Sequence, residues 1–116
     1  MKEFIVIYYA PSSAREKMKN SSPEDMKKGM ESWMRWAEKC GKHLVDWGAP
    51  LDTGRHIDSS GTTSGKTQVA GYSLLQADSM AEAEKLLKGH PHLDWVDGCY
   101  IEVHEKMPLP NNSKQC

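Results

Sequence analysis

"EFIVIYYA", residues 3–10, is an unbroken apolar and aromatic run that stops at Pro11. It is short for a buried helix and rich in β-branched and aromatic residues, so it reads as a strand. Successive side chains of a strand point to opposite faces, which sets Phe4, Val6 and Tyr8 on one side and Ile5, Ile7 and Tyr9 on the other. Both sets are apolar, so both faces of the sheet that contains this strand have to be covered.

The next segments supply one cover. Residues 11–22 are polar and end in "NSSP", where Ser22 suits an N-cap, Pro23 the first helical turn, and Glu24 and Asp25 the helix dipole. A helix is expected over 23–40, with Met26, Met30, Trp33, Met34, Ala37 and Cys40 as its core-facing stripe and Gly41 as its exit. "HLVDWGAPL" (43–51) returns to strand-like content. Residues 53–67 are glycine, serine, threonine and charge, a connection expected to be a mobile loop or a hairpin tip. "QVAGYSLLQA" (68–77) is the next strand, with Gly71 marking a bulge or a close backbone approach. Ser79 and Glu82 stand in capping-box register before "SMAEAEKLL", a second helix that Gly89 and Pro91 end. "CYIEVHEKM" (99–107) alternates, with Cys99, Ile101 and Val103 on one face and Tyr100, Glu102 and His104 on the other.

The order β, α, β, β, α, β makes one α+β domain over 1–108, with 109–116 as a flexible tail. Two right-handed crossovers sharing one sheet place both helices on the same face, the ferredoxin-like arrangement of a four-stranded antiparallel sheet. The second face of the first strand then stays bare. A second copy packed sheet to sheet, a homodimeric α+β barrel, is the economical cover, and small-molecule sites in such assemblies tend to lie at the junctions.

Composition narrows the function classes. At 116 residues, with 15 Lys and Arg against 16 Asp and Glu, the chain has no field to gather a polyanion, so neither nucleic acid nor an acidic membrane is an expected partner. No apolar run nears the length of a membrane helix, and Met1 leads into a strand without a signal-like segment; a cytoplasmic protein is expected. Cys40, Cys99 and Cys116 are too widely spaced for a disulfide framework or a zinc knuckle and read as reduced thiols. "GTTSGKT" (61–67) imitates a phosphate loop, but it has one residue too few between its glycines and a strand follows it.

The chemistry-bearing stretch is "KGHPHLDWVDGC" (88–99). Its bland reading is a helix stop: Gly89 in a left-handed conformation, His90 beside the negative helix end, Pro91 forbidding continuation, Leu93 and Trp95 packing down. Its functional reading makes His90 and His92 proton acceptors near neutral pH with Asp94 as the orienting carboxylate. A metal reading needs further ligands from Asp94, Asp97 or His104, and no metal is expected. For binding, the candidates are Trp33, Trp36, Asp46 and Tyr72; Trp33 lies central to the first helix's stripe, so its other reading is core. Trp36 falls about 80° from its middle at 100° per residue, where it could line a cleft. Trp47, Trp95, Tyr72 and Tyr100 add ring surface for a small planar ligand. Asp46 in an apolar strand is either a site carboxylate or an edge-strand residue in water. Glu102 and His104, sharing a face, read as a surface ion pair.

"WGAPL" (47–51), "GYSLLQADSMAEAEKLL" (71–87), "GHPHL" (89–93) and "GCYIEVHEKMP" (98–108) together resemble the YCII-related, or DGPF-like, family over most of residues 3–108. The resemblance implies ferredoxin-like protomers in a dimeric α+β barrel and for some relatives a dehydrochlorinase-like activity with a His and Asp pair; for the reading reached here no cofactor is required. That histidine belongs to the first helix; residues 23–40 contain none, so the pair is not carried over. The expectation is a homodimer with a small-molecule cavity, used for binding or for proton transfer, the alternative being a non-catalytic interaction module.

Overall fold

The computed structural model describes residues 1–52, 54–64 and 68–108. The expected flexible tail, 109–116, lies outside these, as do residue 53 and residues 65–67 of the long connection. The elements are β1 (Lys2–Tyr9), α1 (Ser12–Lys19), α2 (Pro23–Cys40), β2 (Leu44–Pro50), β3 (Arg55–Asp58), β4 (Gly61–Ser64), β5 (Val69–Ala77), α3 (Met80–Leu87) and β6 (Tyr100–Glu105), with 3₁₀ turns at Gly41–His43 and Pro91–Asp94. Four strands form one antiparallel sheet in the order β2-β5-β1-β6. With the helices on one face, this is the ferredoxin-like α+β fold.

Local chemistry sets the helix ends. Ser22 Oγ accepts the Asp25 N–H at 3.1 Å, and Gly41 leaves α2 at a φ of 54°. In α3, Ser79 Oγ accepts the Glu82 N–H at 3.2 Å, while the Glu82 carboxylate reaches back to the N–H of Asp78, one residue before the cap. Helix α1 was not expected. "SSAREKMK" has no continuous apolar stripe; its anchor is Ala14, which is completely buried.

The expected strands form within a residue or two of their limits. The long connection is an ordered hairpin in its described part, β3 pairing β4 in register. Its turn is held by Asp58, whose Oδ1 accepts the Ser60 N–H at 2.8 Å, the short-range chemistry of an Asx turn. Gly71 shows both features expected of it. The pairing of β1 with β5 skips a residue between Tyr8 and Tyr9, and a Cβ on Gly71 would lie 3.0 Å from the Ala49 carbonyl oxygen.

The glycine of "WGAPL" is explained by backbone crowding. Gly48 has φ of 75°, and a Cβ there would stand 1.7 Å from the carbonyl oxygen of Tyr72 on the neighbouring strand. Gly48→Ala is therefore expected to destabilise the protein by roughly 3 kcal/mol, from strain at positive φ plus displacement of β2 from β5. Urea unfolding checks this, and a loss below about 1 kcal/mol would mean that β2 shifts freely.

Phe4, Val6 and Tyr8 of β1 meet Leu75 and Ala77 of β5, Trp36, Ala37 and Cys40 of α2, and Ala83 and Leu87 of α3 in one core. The stripe expected of α2 is only half used. Met26 and Met30 are exposed on the first half of the helix, which overhangs the sheet, and Met34 is exposed on the second half, where only Trp36, Ala37 and Cys40 are buried. Of its two tryptophans, Trp36 is buried in the core and Trp33 is half-buried beside it. On the helix-free face, Ile5, Ile7, Tyr9, Tyr72 and Leu74 are half-buried. Tyr9 stacks on Tyr100 there, ring centroids 4.6 Å apart.

Candidate functional site

A cleft of about 1030 Å³ opens between α2 and the end of the sheet where β1 finishes. Trp33, Trp36, Trp47 and Trp95 line it, and these are all four tryptophans of the chain. Met18, Met26 and Met30 extend the apolar wall along α1 and the overhang of α2. The backbone of β2 and β5 around Gly48 and Gly71 closes one side, and the link from Lys88 to Trp95 closes another.

Behind this wall lies a polar network whose protons can be assigned. His90 Nδ1 accepts the backbone N–H of His92 at 3.0 Å, so the neutral ring carries its proton on Nε2 and donates it to the Tyr8 hydroxyl at 3.2 Å. Ser73 Oγ donates to the carbonyl of Trp47 at 2.8 Å, which leaves Tyr8 to donate to Ser73 Oγ at 2.8 Å. The chain His90, Tyr8, Ser73 and the Trp47 carbonyl runs in one direction and ties the Pro91–Asp94 turn to β1, β5 and β2. Every buried side-chain polar atom among the described residues has a partner.

The surroundings hold these groups neutral. His90 is completely buried, with Trp33 and Trp36 ring centroids 4.4 and 4.3 Å from its own. Loss of hydration pulls its pKa down to about 3, with the neighbouring His92 acting in the same direction. Burial raises the Tyr8 phenol well above its ordinary value, an effect the Ser73 hydrogen bond only partly opposes. Cys40, packed near Tyr8, is pushed up to about 11 by burial, with Lys39 pulling the other way. It is a packing residue and not a nucleophile.

The expected histidine cluster divides by role. His90 has both nitrogens engaged and stands behind the cleft wall. His92 is on the wall and donates Nε2–H to the Tyr9 carbonyl at 2.8 Å, so its neutral ring keeps a lone pair on Nδ1. Burial lowers its pKa, opposed by the Tyr9 and Tyr100 carbonyls. Asp94 lines the cleft but is exposed and hydrogen-bonds to neither histidine. No group of three or more metal-ligating side chains occurs among the described residues.

The other expected residues are spread more widely. Asp46 is exposed on the edge strand, where its Oδ1 accepts the Gly48 N–H at 2.8 Å, and it does not line the cleft. Tyr72 borders the cleft through its strand, while its register opposite Ile7 sets its side chain toward the helix-free face. Leu93, expected to pack down, is exposed, and Trp95 is half-buried. Glu102 and His104 form the expected surface pair at 3.3 Å. Gly89 takes the expected positive φ, 76°.

Two residues at the heart of the network, Tyr8 and Ser73, were not singled out from the sequence. A tyrosine on the inward register of an apolar strand carries a hydroxyl that must find a partner, and that was the available signal.

No protein-family model matches the chain, and no curated protein matches it. Among solved structures it is similar to 5-chloro-2-hydroxyhydroquinone dehydrochlorinase from Burkholderia phenoliruptrix AC1100, in complex with 2,5-dihydroxybenzoquinone. The two share 14% identity over 86% of this chain and 90% of that one, with a TM-score of 0.48. No helix among the described residues is long and apolar enough to cross a membrane.

Proposed function

We propose that this chain is a YCII-related protein that acts as a homodimer and holds a small, largely apolar molecule in the cleft between α2 and the sheet. The observation that carries the binding reading is the gathering of all four tryptophans on one cleft. Indole rings and thioethers give a planar ligand large contact area at low entropic cost, and the network beneath keeps the floor rigid. In the catalytic version of this reading His92 takes the proton, oriented by the Tyr9 carbonyl. A second reading, binding without chemistry, is favoured by the full engagement of His90 and by the separation of Asp94 from both imidazoles.

A thermal-shift screen against small aromatic and carboxylate metabolites tests the binding reading. A ligand at about 100 times its Kd adds about 2.7 kcal/mol, a shift of several degrees for a domain of this size. Trp33→Ala should abolish the shift. A screen in which no compound moves Tm, or in which Trp33→Ala leaves the shift unchanged, counts against the cleft.

The dimer rests on the helix-free sheet face, where Ile5, Ile7, Tyr72 and Leu74 form an apolar centre. Sedimentation at micromolar concentration should give twice the protomer mass, and Ile7→Lys should give single protomers by placing a charge in that centre. A stable lone wild-type protomer contradicts this assembly.

A further inference from the structure

The charges around the cleft are unevenly distributed. Arg35 and Lys39 stand one helical turn apart on α2, Lys88 follows α3, and all three line the cleft. Among the described residues none of them forms an ion pair. The Arg35 guanidinium is steadied by Ser32 Oγ at 3.2 Å, which holds the fork without neutralising it.

The two lining carboxylates, Asp25 and Asp94, do not cancel this excess. Asp25 is in the first turn of α2, where the positive helix end compensates it. It precedes Arg35 by ten positions, roughly 15 Å along the axis at 1.5 Å per residue. Two carboxylates thus stand against three cations, of which Lys39 and Lys88 lie at the negative ends of α2 and α3. Between Asp25 and Arg35 the helix offers Met26, Met30 and Trp33 to the cleft. Along α2 the wall is mainly apolar from Met26 to Trp33, and Arg35 and Lys39 follow toward the helix's C-terminal end.

We propose that the ligand of this cleft is a flat apolar molecule bearing one anionic group, a carboxylate or its equivalent, received by Arg35, Lys39 and Lys88. The inference rests on the binding reading above and specifies its ligand class. An arginine fork pairs with a carboxylate through two parallel hydrogen bonds, and the two lysines add charge without geometric demand. A neutral ligand of the same shape forgoes these contacts. A cationic one meets three like charges and is rejected.

The test is calorimetric titration of the full chain with three probes that share one ring system: 2-naphthoate, 2-naphthalenemethanol and 2-naphthylmethylammonium. The acid should bind about tenfold or more tighter than the alcohol, as expected for one charge-assisted contact, with the ammonium weakest. The advantage of the acid should shrink as salt is raised. The exposed double variant R35Q/K39Q should bring the acid to the level of the alcohol, whereas Trp33→Ala should weaken all three. Equal binding of acid and alcohol, or an unchanged ratio in the double variant, overturns the charge assignment while leaving the cleft as a binding site. Absence of binding by all three overturns both.

Discussion

Trp36→Ala is expected to destabilise the protein by about 4 kcal/mol, the range found for deleting a large buried ring and leaving a cavity. Trp36 is 5% exposed and lies between the sheet, α3 and His90. Its Nε1–H also donates to the Leu86 carbonyl at 2.9 Å, one of the carbonyls that end α3. Removing the ring therefore strips a core filler and leaves a helix-terminal acceptor without its donor. Trp36→Phe separates the two effects, since it keeps most of the volume and should cost about 1–2 kcal/mol, chiefly for the lost hydrogen bond. Denaturant unfolding of the three proteins measures both losses. A cost below about 1.5 kcal/mol for the alanine variant would mean that α2 does not close the core through this residue.

Acid is expected to weaken the fold through His90. Its folded pKa of about 3 lies below the ordinary imidazole value of 6.5, so the unfolded chain binds a proton that the folded one refuses. The stability tied to its neutral form is complete above pH 6.5 and falls as pH drops toward the folded value, by about 1.4 kcal/mol per pH unit. Between pH 7 and pH 5 the loss amounts to about 2 kcal/mol, and His92, lowered in the same direction, adds to it. His90→Asn removes the titration while keeping an oxygen that can accept the His92 N–H as a cap. The variant should start weaker at pH 7, for want of the Tyr8 contact, and lose much less between pH 7 and pH 5. Equal losses in both proteins would place the acid sensitivity elsewhere.

What could be read from the sequence was local or strictly periodic. The caps of α2 and α3 depend on residues three apart, and the alternation along β1 and β6 needs no knowledge of partners. The order of the elements was enough for the ferredoxin-like topology. The misreadings came from distance. Helix α1 is held by the burial of Ala14, which depends on a tertiary surface and not on its own pattern. The methionines of α2 shifted the apparent centre of its stripe, because the overhang was invisible until the sheet's length was known. The His90 and Tyr8 contact joins residues 82 positions apart, so the neighbour suggested by sequence, Asp94, was the wrong partner to expect for this imidazole. The stop signals around Gly89 and Pro91 were correct as far as they went. They did not indicate that the imidazole within them would hold the floor of a cleft.

The most direct test of the binding account is a crystal structure of the protein with whichever aromatic ligand stabilises it most. A flat molecule should lie against Trp33 and Trp47, above an unaltered chain of hydrogen bonds from His90 through Tyr8 to Ser73. A cleft closed by the protein's own side chains, with the ligand seated elsewhere, would contradict it.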